Sequence, residues 1–554
     1  MFNPAKASSN IKNEFIDYVA TNYSFCDENL QKQFVEELKK SISKGPLLEI
    51  KDVFATGLSI AELMEQGVLS SRFEDLERGK RAGGREKSKL PLNRELYLHQ
   101  EQAIRAIVSG NNAVISTGTG SGKTNCFLIP VINELLREQE EGTLGPGVRA
   151  LFIYPMNALA NDQMKNIREL LMDYPDITFG VYNGGTENDE KSAIAVYEAM
   201  FAKERDEKLR QRLVNEKLSR EEMKKNPPNI LFTNYAMLEH LLFRPKDDVL
   251  FSNADFRFVV LDEAHVYTGA TGIETAILLR RLKARITATK KTRFILTSAT
   301  LGSDSSADDD IVTFARNLCG EEFKKENIIR ATREKSMPNS HAEHYPCELY
   351  RQLADESNIV ADILKEYGVA CDKSKEENEL IFDFIVGSDL YLSLRRSMPK
   401  QRKVPNVWTI AEIAQDLNVD EETANSFISL CTRAQRNGKA LLDARYHFFI
   451  RSLEGCYSTI GQEKKLFLNR QKQYSINGKQ YAVFEIARCD DCGRIALVGN
   501  INKENHRLEQ VSKLDEKEEA EYFYLLEDDN DDLSDEDDFD DKHDLSDEGD
   551  FEGG

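Results

Sequence analysis

The stretch AVISTGTGSGKT, residues 113–124, decides the fold expected for the first half of this 554-residue chain. An apolar run leads into three closely spaced glycines, and NCFLIPVINELL follows at helical spacing. This order predicts a strand, a phosphate-binding loop and a helix, because such a loop turns backbone N–H groups toward an anion. We expect Lys123 to reach nucleotide phosphates and the Thr124 hydroxyl to bind Mg²⁺. The loop residues predicted to hold the nucleotide are Thr117, Gly118, Thr119, Gly120, Ser121, Gly122, Lys123 and Thr124.

The loop departs from the pattern G-x-x-x-x-G-K-[ST] at its first position, where Thr117 replaces glycine. A chance glycine-rich turn is the alternative, but it leaves the apolar run and the helical segment unexplained. Upstream, Gln100 lies 23 residues before Lys123. Its amide presents a donor beside an acceptor, so we expect it to bind the adenine edge of the nucleotide.

Five further apolar runs indicate short buried strands, and these runs are 150–154, 179–182, 229–233, 256–261 and 293–298. Helical segments separate them, so the pattern predicts an α/β fold with a doubly wound parallel sheet. In such sheets ligands bind beyond the carboxyl ends of the strands. We therefore expect the polar residues that follow each run to form the functional site.

The most informative of these polar segments is Asp262-Glu263-Ala264-His265, directly after the run 256–261. An aspartate at this position can hold Mg²⁺, and a neighbouring glutamate can orient and deprotonate an attacking water. A helix cap is the alternative role for two adjacent carboxylates. The phosphate loop upstream favours the catalytic role.

Six segments carry a family resemblance: TGTGSGKT, YPMNALANDQ (154–163), Gly184-Gly185, FTNYAMLEHLL (232–242), LDEAHVYTGATGIETAILLRRLKAR (261–285) and LTSATLG (296–302). They resemble motifs I, Ia, Ib, Ic, II and III of the DEAD/DEAH-box helicases of superfamily 2. The stretch after the DEAH motif is similar to the large bacterial MrfA/YprA-like repair and phage-defence helicases. The resemblance covers the first RecA-like domain only.

The resemblance implies roles for individual residues. Lys123, Asp262, Glu263 and His265 would carry out ATP chemistry with Mg²⁺ on Thr124 and Asp262. The residues that would line a single-strand track are Pro155, Asn157, Gly184, Gly185, Thr233, Asn234 and Tyr235. The residues that would couple the two sites are Ser298, Ala299 and Thr300.

Beyond residue 301 the family pattern should continue into a second RecA-like domain. No Q-x-x-G-R-x-x-R segment occurs from 301 to 554, so we expect a second motor domain to come from another polypeptide or to be lost by truncation. One such domain cannot by itself open and close on ATP to move along a strand. The chain then resembles the front half of a longer machine.

The rest of the chain gives weaker signals. Residues 406–434 fit a helix-turn-helix or winged-helix unit, and equally a purely structural helical pair. Cys489 and Cys492 have the spacing of half a zinc site, with Zn²⁺ or a degenerate zinc ribbon as the two interpretations. Between residues 185 and 227 a run of mixed charge predicts a solvated helical hairpin.

We expect five regions: 1–90 helical; 91–330 the RecA-like ATP-binding domain; 331–455 helical; 456–526 small, with the CxxC pair; and 527–554 a disordered acidic tail. That tail supplies most of the net charge of −22. A basic channel elsewhere on the surface is therefore compatible with the acidic composition. The nine cysteines and the lack of a long apolar run predict a cytoplasmic protein without a membrane segment.

These observations predict an ATP-dependent helicase or translocase whose partner is single-stranded or duplex DNA, with RNA as an open alternative. A second hypothesis is a nucleotide-gated nucleic-acid-binding or scaffold protein that does not unwind its substrate.

Overall fold

The structure is a computed structural model that describes residues 4–82, 90–118, 120–202, 212–252, 254–286, 288–301, 305–338, 342–372, 374–398, 406–436, 438–460, 464–476, 478–489, 493–502, 505–510 and 521–524. Thr119, Cys492 and the predicted acidic tail 527–554 lie outside these residues. The chain divides into two compact units, Phe54–Glu334 and the pair of segments Met1–Val53 and Lys335–Gly554. We call them the middle unit and the outer unit.

The N-terminal segment contains α1 (Pro4–Asn22), α2 (Glu28–Ser41) and β1 (Ser43–Phe54). The middle unit continues with β2 (Thr56–Ser59), α3 (Ile60–Glu65), α4 (Phe73–Ala82), β3 (Glu95–Tyr97), α5 (Leu98–Val108), β4 (Ala113–Ser116), α6 (Lys123–Glu140), β5 (Ala150–Tyr154), α7 (Asn157–Leu171), β6 (Phe179–Val181), α8 (Glu190–Phe201), β7 (Glu216–Lys217), α9 (Arg220–Lys225), β8 (Ile230–Asn234), α10 (Tyr235–Phe243), α11 (Val249–Ser252), β9 (Phe258–Leu261), α12 (Gly269–Arg285), β10 (Arg293–Ser298), α13 (Asp308–Cys319), β11 (Ile328–Arg330) and β12 (Arg333–Glu334). It also has 3₁₀ turns at Pro245–Asp247, Ala264–Val266, Ser305–Ala307 and Lys325–Asn327.

The C-terminal segment contains α14 (Cys347–Ala354), α15 (Val360–Glu366), α16 (Glu377–Val386), α17 (Asp389–Ser397), β13 (Val407–Thr409), α18 (Ile410–Leu417), α19 (Glu421–Arg433), β14 (Gln435–Arg436), β15 (Lys439–Ala440), β16 (Leu442–Ile450), β17 (Tyr457–Thr459), β18 (Leu466–Phe467), β19 (Gln473–Ile476), β20 (Lys479–Arg488), β21 (Ile495–Asn502), β22 (Arg507–Gln510) and β23 (Glu521–Tyr524). No helix within the described ranges combines the length and apolar content needed to cross a bilayer.

The middle unit is built on an eight-stranded sheet in the order β11-β4-β10-β9-β5-β8-β6-β7. Every neighbouring pair is parallel, which confirms the predicted α/β sheet. Successive side chains of a strand point to opposite faces, so both faces of each central strand are covered by apolar helices. In β4, Ala113 and Ile115 pack into one core cluster and Val114 into the other.

The strand order places the polar segments side by side. The phosphate loop follows β4, the DEAH segment follows β9, and β10 lies between these two strands. The segment after β10, which begins at Ser298, therefore lies between the phosphate loop and the DEAH carboxylates. The other strands that precede polar motifs, β5, β8 and β6, extend away from this point.

The charged run between residues 185 and 227 is not only a solvated hairpin. It contains α8 and α9, and its short strand β7 pairs with β6 at the sheet edge. Ala193, Tyr197 and Met223 in this run are buried. The helical periodicity was visible in the sequence, but a two-residue strand leaves no periodic signal. Residues 203–211 of the run lie outside the described part.

The outer unit contains a strand where the sequence pattern favoured helices. In β1, Leu48 and Ile50 are fully buried at the two-residue spacing of a strand. β1 pairs antiparallel with β13 and with β16, whose residues are about 400 positions away in the chain. The region 1–90, predicted to be a helical region, thus contains a strand at 43–54, which local pattern did not indicate because its partners are distant in sequence.

The helical pair predicted at 406–434 consists of α18 and α19, joined by a turn in which Asn418 has a φ of 56°. The second helix, α19, buries Phe427, Ile428 and Cys431 as well as two small polar residues. Its exposed first turn carries Glu421 and Glu422, which would repel a phosphate backbone. These features favour the structural helical pair over a DNA-reading one.

The remaining strands of the outer unit form an antiparallel sheet in the order β18-β17-β20-β21-β22, with β19 on β20 and β23 on β21. The helices α1 and α2 pack on it through one core cluster that includes Phe34, Leu38 and Phe484. The compact units change near residues 54 and 334, so the region limits predicted at 90 and 455 do not match a boundary between them. Contacts between the two ends of the chain cannot be read from local pattern.

Candidate nucleotide site and nucleic-acid track

The phosphate loop connects β4 to α6 and is shaped by glycines. Gly120 and Gly122 have φ values of 76° and 69°, in the region that disfavours side chains. Thr117 and Ser121 are buried, and their hydroxyl oxygens lie 2.7 Å apart. Thr117 therefore holds the loop from inside, which explains why a hydroxyl residue fits where the strict pattern has glycine.

Gln100 lies behind the loop, as part of α5. Its Nε2 donates to the Gly122 carbonyl at 3.0 Å, and its Oε1 accepts the Tyr97 N–H at 3.0 Å. A Cβ added at Gly122 would lie 2.5 Å from Gln100 Nε2, so only glycine leaves room for this contact. The amide keeps one hydrogen and one lone pair for adenine, and that role stays a prediction.

His99 was not anticipated from the sequence, because a histidine next to Gln100 gives no spacing signal of its own. Its side chain is fully buried, and Nε2 lies 2.9 Å from the Ser121 carbonyl oxygen. Burial lowers the pKa of His99 below its ordinary value. The neutral ring therefore donates to the loop carbonyl and adds a second support beside Gln100.

Lys123 and Glu263 meet across the site. The Lys123 Nζ lies 3.2 Å from Glu263 Oε1, and both side chains are mostly buried. Glu263 has a φ of 48°, a strained conformation for a residue with a side chain. Incoming phosphates would compete with Glu263 for Lys123, which would free the carboxylate to act on a water.

Asp262 is held by Thr297 from the neighbouring strand β10. The Thr297 hydroxyl donates to Asp262 Oδ1 and also accepts the Glu263 N–H at 3.4 Å. Burial raises the pKa of Asp262 above its ordinary value, and the Thr297 hydrogen bond opposes that shift. Sequence reasoning missed Thr297, which directly precedes the predicted coupling residues.

The donor set fits Mg²⁺. Asp262 supplies a carboxylate that Thr297 orients, and Thr124 adds a hydroxyl oxygen at the start of α6. Oxygen ligands of this kind, completed by phosphates and water, are what Mg²⁺ prefers. When bound, Mg²⁺ would neutralise charge on the terminal phosphates.

A chain of contacts links the nucleotide site to the segment after β10. His265 Nδ1 lies 3.0 Å from Ser298 Oγ and 3.4 Å from Glu263 Oε2. Ser298 Oγ also accepts the Thr300 N–H at 3.1 Å. On the other side, the Thr117 N–H donates to the Ser298 carbonyl at 3.1 Å. Ser298 thus contacts both the phosphate loop and the DEAH segment, and Ala299 lies between it and Thr300.

The predicted track residues lie at the carboxyl ends of β5, β6 and β8. Asn234 Nδ2 donates to Asn157 Oδ1 at 2.8 Å, which ties the ends of β8 and β5 together. Gly184 and Gly185 are exposed after β6, and the Gly185 N–H donates to Asn183 Oδ1 at 2.9 Å. Backbone groups and amides in such positions can hold phosphates without reading bases.

Three other track residues are less accessible. Thr233 is 1% exposed, and its hydroxyl donates to the Tyr182 carbonyl at 2.8 Å, so it supports the track from inside. Pro155 is half-buried at the end of β5. Tyr235 is half-buried and packs edge-on against Tyr267, with ring centroids 6.4 Å apart.

The predicted zinc pair is tested only in part. Cys489 is described and Cys492 is not, and no group of three or more metal-ligating side chains occurs among the described residues. The structure does bring Cys26 to this turn, where its N–H donates to the Gly493 carbonyl at 3.3 Å. Cys26 lies 463 positions before Cys489, so the sequence gave no indication that the two segments are close.

Residues 97–308, which include both the phosphate loop and the DEAH carboxylates, match the DEAD/DEAH box helicase family. The chain carries a DEAD/DEAH box helicase domain. This domain is of the ATP-hydrolysing helicase type, as the motifs predicted. Residues 466–552 match a second family, the YjiV N-terminal domain.

Similar proteins are mostly much longer than the matched part. Druantia protein DruE of Escherichia coli (strain UMEA 4076-1) is 26% identical over 614 residues, covering 88% of this chain and 32% of DruE. The uncharacterized ATP-dependent helicase YprA of Bacillus subtilis (strain 168) is 28% identical over 222 residues, 39% of this chain and 24% of YprA. The chain thus spans about a third of the length of DruE and a quarter of YprA.

Among solved structures, the crystal structure of the DUF1998 helicase MrfA bound to DNA is 20% identical to this chain. The match covers 60% of this chain and 39% of MrfA, with a TM-score of 0.35.

Proposed function

We propose that this chain supplies the ATP-binding motor domain of a helicase or translocase that moves along single-stranded or duplex DNA. The observation that carries the proposal is the contact chain in the DEAD/DEAH box domain. Ser298 contacts the phosphate loop and His265, while the Asn157–Asn234 bridge lies at the strand ends on the other side of β9. An ATP-dependent change at Glu263 could therefore reach a strand held at the track.

The preference for DNA rests on the resemblance to the MrfA/YprA-like repair and phage-defence helicases. The phosphate-holding groups of the track do not distinguish deoxyribose from ribose. RNA binding is therefore one outcome of the experiment below.

We further propose that motion requires a second RecA-like domain, supplied by another polypeptide or lost by truncation. Among the described residues, the sheet of the middle unit is the only fully parallel one with more than two strands. A helicase of this type alternates between states in which two such domains grip the strand differently. The alternative is a nucleotide-gated binding protein without unwinding activity, because a single parallel sheet of this kind is sufficient for such a protein.

The test is binding of a fluorescent single-stranded DNA oligonucleotide to the full chain, measured by anisotropy with and without Mg²⁺ and a non-hydrolysable ATP analogue. We expect the analogue to change the affinity, and Lys123→Ala to abolish that change. The double variant Asn157→Ala, Asn234→Ala should weaken DNA binding about tenfold, since each amide holds a backbone group. Asn29→Ala, an exposed asparagine of the outer unit, is the matched control.

Binding that ignores both the nucleotide and the track variants would overturn the proposal. An RNA oligonucleotide of equal length and sequence serves as the competitor. Stronger binding of that RNA would reassign the substrate while leaving the motor assignment in place.

A further inference from the structure

A cavity of about 300 Å³ lies beside the track, between α7, α8 and the strands β6 and β7. Its walls are mostly apolar, and they include Met164, Val181, Ala193, Val196, Tyr197 and Met200. The volume is at the lower end of the range for small-ligand pockets. None of the sequence motifs accounts for this cavity, because α8 belongs to the charged run after Gly185.

The floor of the cavity is built rigidly around Arg168. This arginine is 2% exposed, and its guanidinium carbon lies 3.9 Å from the Phe201 ring centroid and 4.8 Å from that of Tyr197. Arg168 Nε also lies 2.8 Å from Glu216 Oε2. The Arg168 guanidinium contacts both aromatic rings and the Glu216 carboxylate, and these contacts fix the two aromatic side chains. This side of the cavity is therefore well packed.

One wall of the cavity is open to solvent although it is apolar. Val196 is 45% exposed and Met200 is 64% exposed, both on α8. Covering such side chains with a flat apolar group removes them from water, and a thioether packs well against a ring. The wall is thus suited to the face of an aromatic ligand.

Part of the cavity rim belongs to the track. Asn157 and Gly185, which are predicted to hold the strand backbone, both line it, together with Asn183 and Thr186. Lys165, exposed on α7, adds positive charge to the lining and Glu187 adds negative charge, while Lys217 on β7 is paired with Glu222 at 3.3 Å. The lining therefore combines polar and charged side chains next to the track with apolar side chains on α8.

We propose that this cavity accepts one nucleobase of the single strand that Asn157 and Gly185 hold, with its face against Val196 and Met200. The polar rim matches a sugar-phosphate backbone and the apolar wall matches a base, which is how single-strand-binding proteins combine the two. The contact is to the face of the base, so it is independent of sequence. The inference rests on the proposed single-strand binding and specifies how that strand is anchored.

The test is an abasic scan. Single-stranded DNA oligonucleotides, each with one abasic position, are bound to the full chain with Mg²⁺ and the ATP analogue. We expect one position to weaken binding about tenfold, a loss at the lower end of the range for a base stacked on an aromatic ring because this wall is aliphatic, and its neighbours to have little effect. In Met200→Asp, intact DNA should already bind about tenfold more weakly, and the same abasic position should cost nothing further.

The matched control is Ala199→Asp, which adds the same charge on the next exposed residue of α8, outside the cavity lining. It should keep the full abasic effect. Val196→Asp is the second variant and should behave like Met200→Asp. As an independent readout, 2-aminopurine at the sensitive position should change its fluorescence on binding to the wild-type chain and not to Met200→Asp.

A flat abasic scan, or an abasic loss that persists unchanged in both cavity variants, would overturn the base pocket while the track assignment stands. Absence of any DNA binding by the wild-type chain would instead overturn the proposed function. If Met200→Asp weakens the binding of intact DNA and of abasic DNA by the same factor, α8 contacts the backbone or another class of ligand. That result would also overturn the pocket.

Discussion

At the scale of single residues, the Thr297 hydroxyl holds the Asp262 carboxylate and the Glu263 backbone N–H of the DEAD/DEAH box motif in place. Its bond to Asp262 stabilises the ionised carboxylate against the cost of burial. We predict that Thr297→Val weakens binding of Mg²⁺-ATP about tenfold, since a hydrogen bond to a charged group contributes about 1.5 kcal/mol. Titration calorimetry with the non-hydrolysable analogue measures this.

The same titration without Mg²⁺ is the internal control for Thr297. The variant should then bind the nucleotide as the wild type does, because the phosphate loop is untouched. Thr297→Ser keeps the hydroxyl and should retain the affinity in both conditions. An equal loss with and without Mg²⁺ would contradict the positioning role.

Much of this site could be predicted from residue spacing alone. Lys123, Asp262 and Glu263 follow apolar strands at recognisable intervals, so their chemistry was expected. Thr297 and His99 were missed because their role depends on which strand or loop lies alongside, and adjacency in a sheet leaves no mark in the sequence. Thr233 was predicted to line the track, but its side chain is buried, because a hydroxyl at a strand end can equally well face inward.

At the scale of elements, Asp420 caps the N-terminus of α19. Its side chain accepts the Thr423 N–H at 3.0 Å and pairs with Arg351 at 2.6 Å. The Thr423 N–H bond and the Arg351 guanidinium lower the pKa of Asp420 to about 2. We predict that Asp420→Ala lowers the free energy of unfolding of the outer unit by about 1 kcal/mol at neutral pH.

The measurement is urea unfolding followed by the fluorescence of Trp408, the single tryptophan, which is fully buried in the outer unit. Because the folded pKa lies below the ordinary value of 3.8, the stabilisation is fully present above pH 4. It should be lost as pH falls toward 2, so the two proteins should converge there. Asp420→Asn keeps the cap and should lose less stability; a gap that persists at pH 2 would contradict the assignment.

Strands of the middle unit were predictable because continuous apolar runs bounded by turns have few other interpretations. The segment PLLEIKDVF in β1 was not, since its apolar spacing also fits one face of a helix. Its partner β16 lies at the far end of the chain, and only that pairing decides in favour of a strand. The short edge strand β7 was missed for the same reason.

At the scale of the whole molecule, a buried ionic cluster supports the end of the parallel sheet opposite the nucleotide site. Arg257 lies 3.2 Å from Glu138 and 2.7 Å from Asp255, and Arg149 lies 2.8 Å from Glu138. We predict that Arg257→Met lowers the free energy of unfolding of the middle unit by about 3 kcal/mol, because buried carboxylates lose a partner. Thermal unfolding followed by circular dichroism measures this.

Lys290→Met is the matched control for Arg257. Glu134 belongs to the same cluster, since its Oε1 lies 3.8 Å from Arg257 Nε. Lys290 is more than half exposed, and its Nζ lies 3.4 Å from Glu134 Oε1. An exposed pair contributes at most about 1 kcal/mol, so this variant should melt close to the wild type. If the two substitutions lowered the free energy of unfolding equally, burial of the ion pairs would not determine how much the cluster stabilises the middle unit.

The central claim is that this chain carries one motor domain and needs a second RecA-like domain to move along a strand. ATP turnover by the purified full chain, with and without single-stranded DNA, tests it most directly, alongside Glu263→Gln and Lys123→Ala. We predict that the wild type and Glu263→Gln bind Mg²⁺-ATP, that Lys123→Ala does not, and that the low turnover of the wild type is not raised by DNA. Turnover that DNA strongly stimulates and Glu263→Gln abolishes would contradict the claim, because the chain would then complete its own motor.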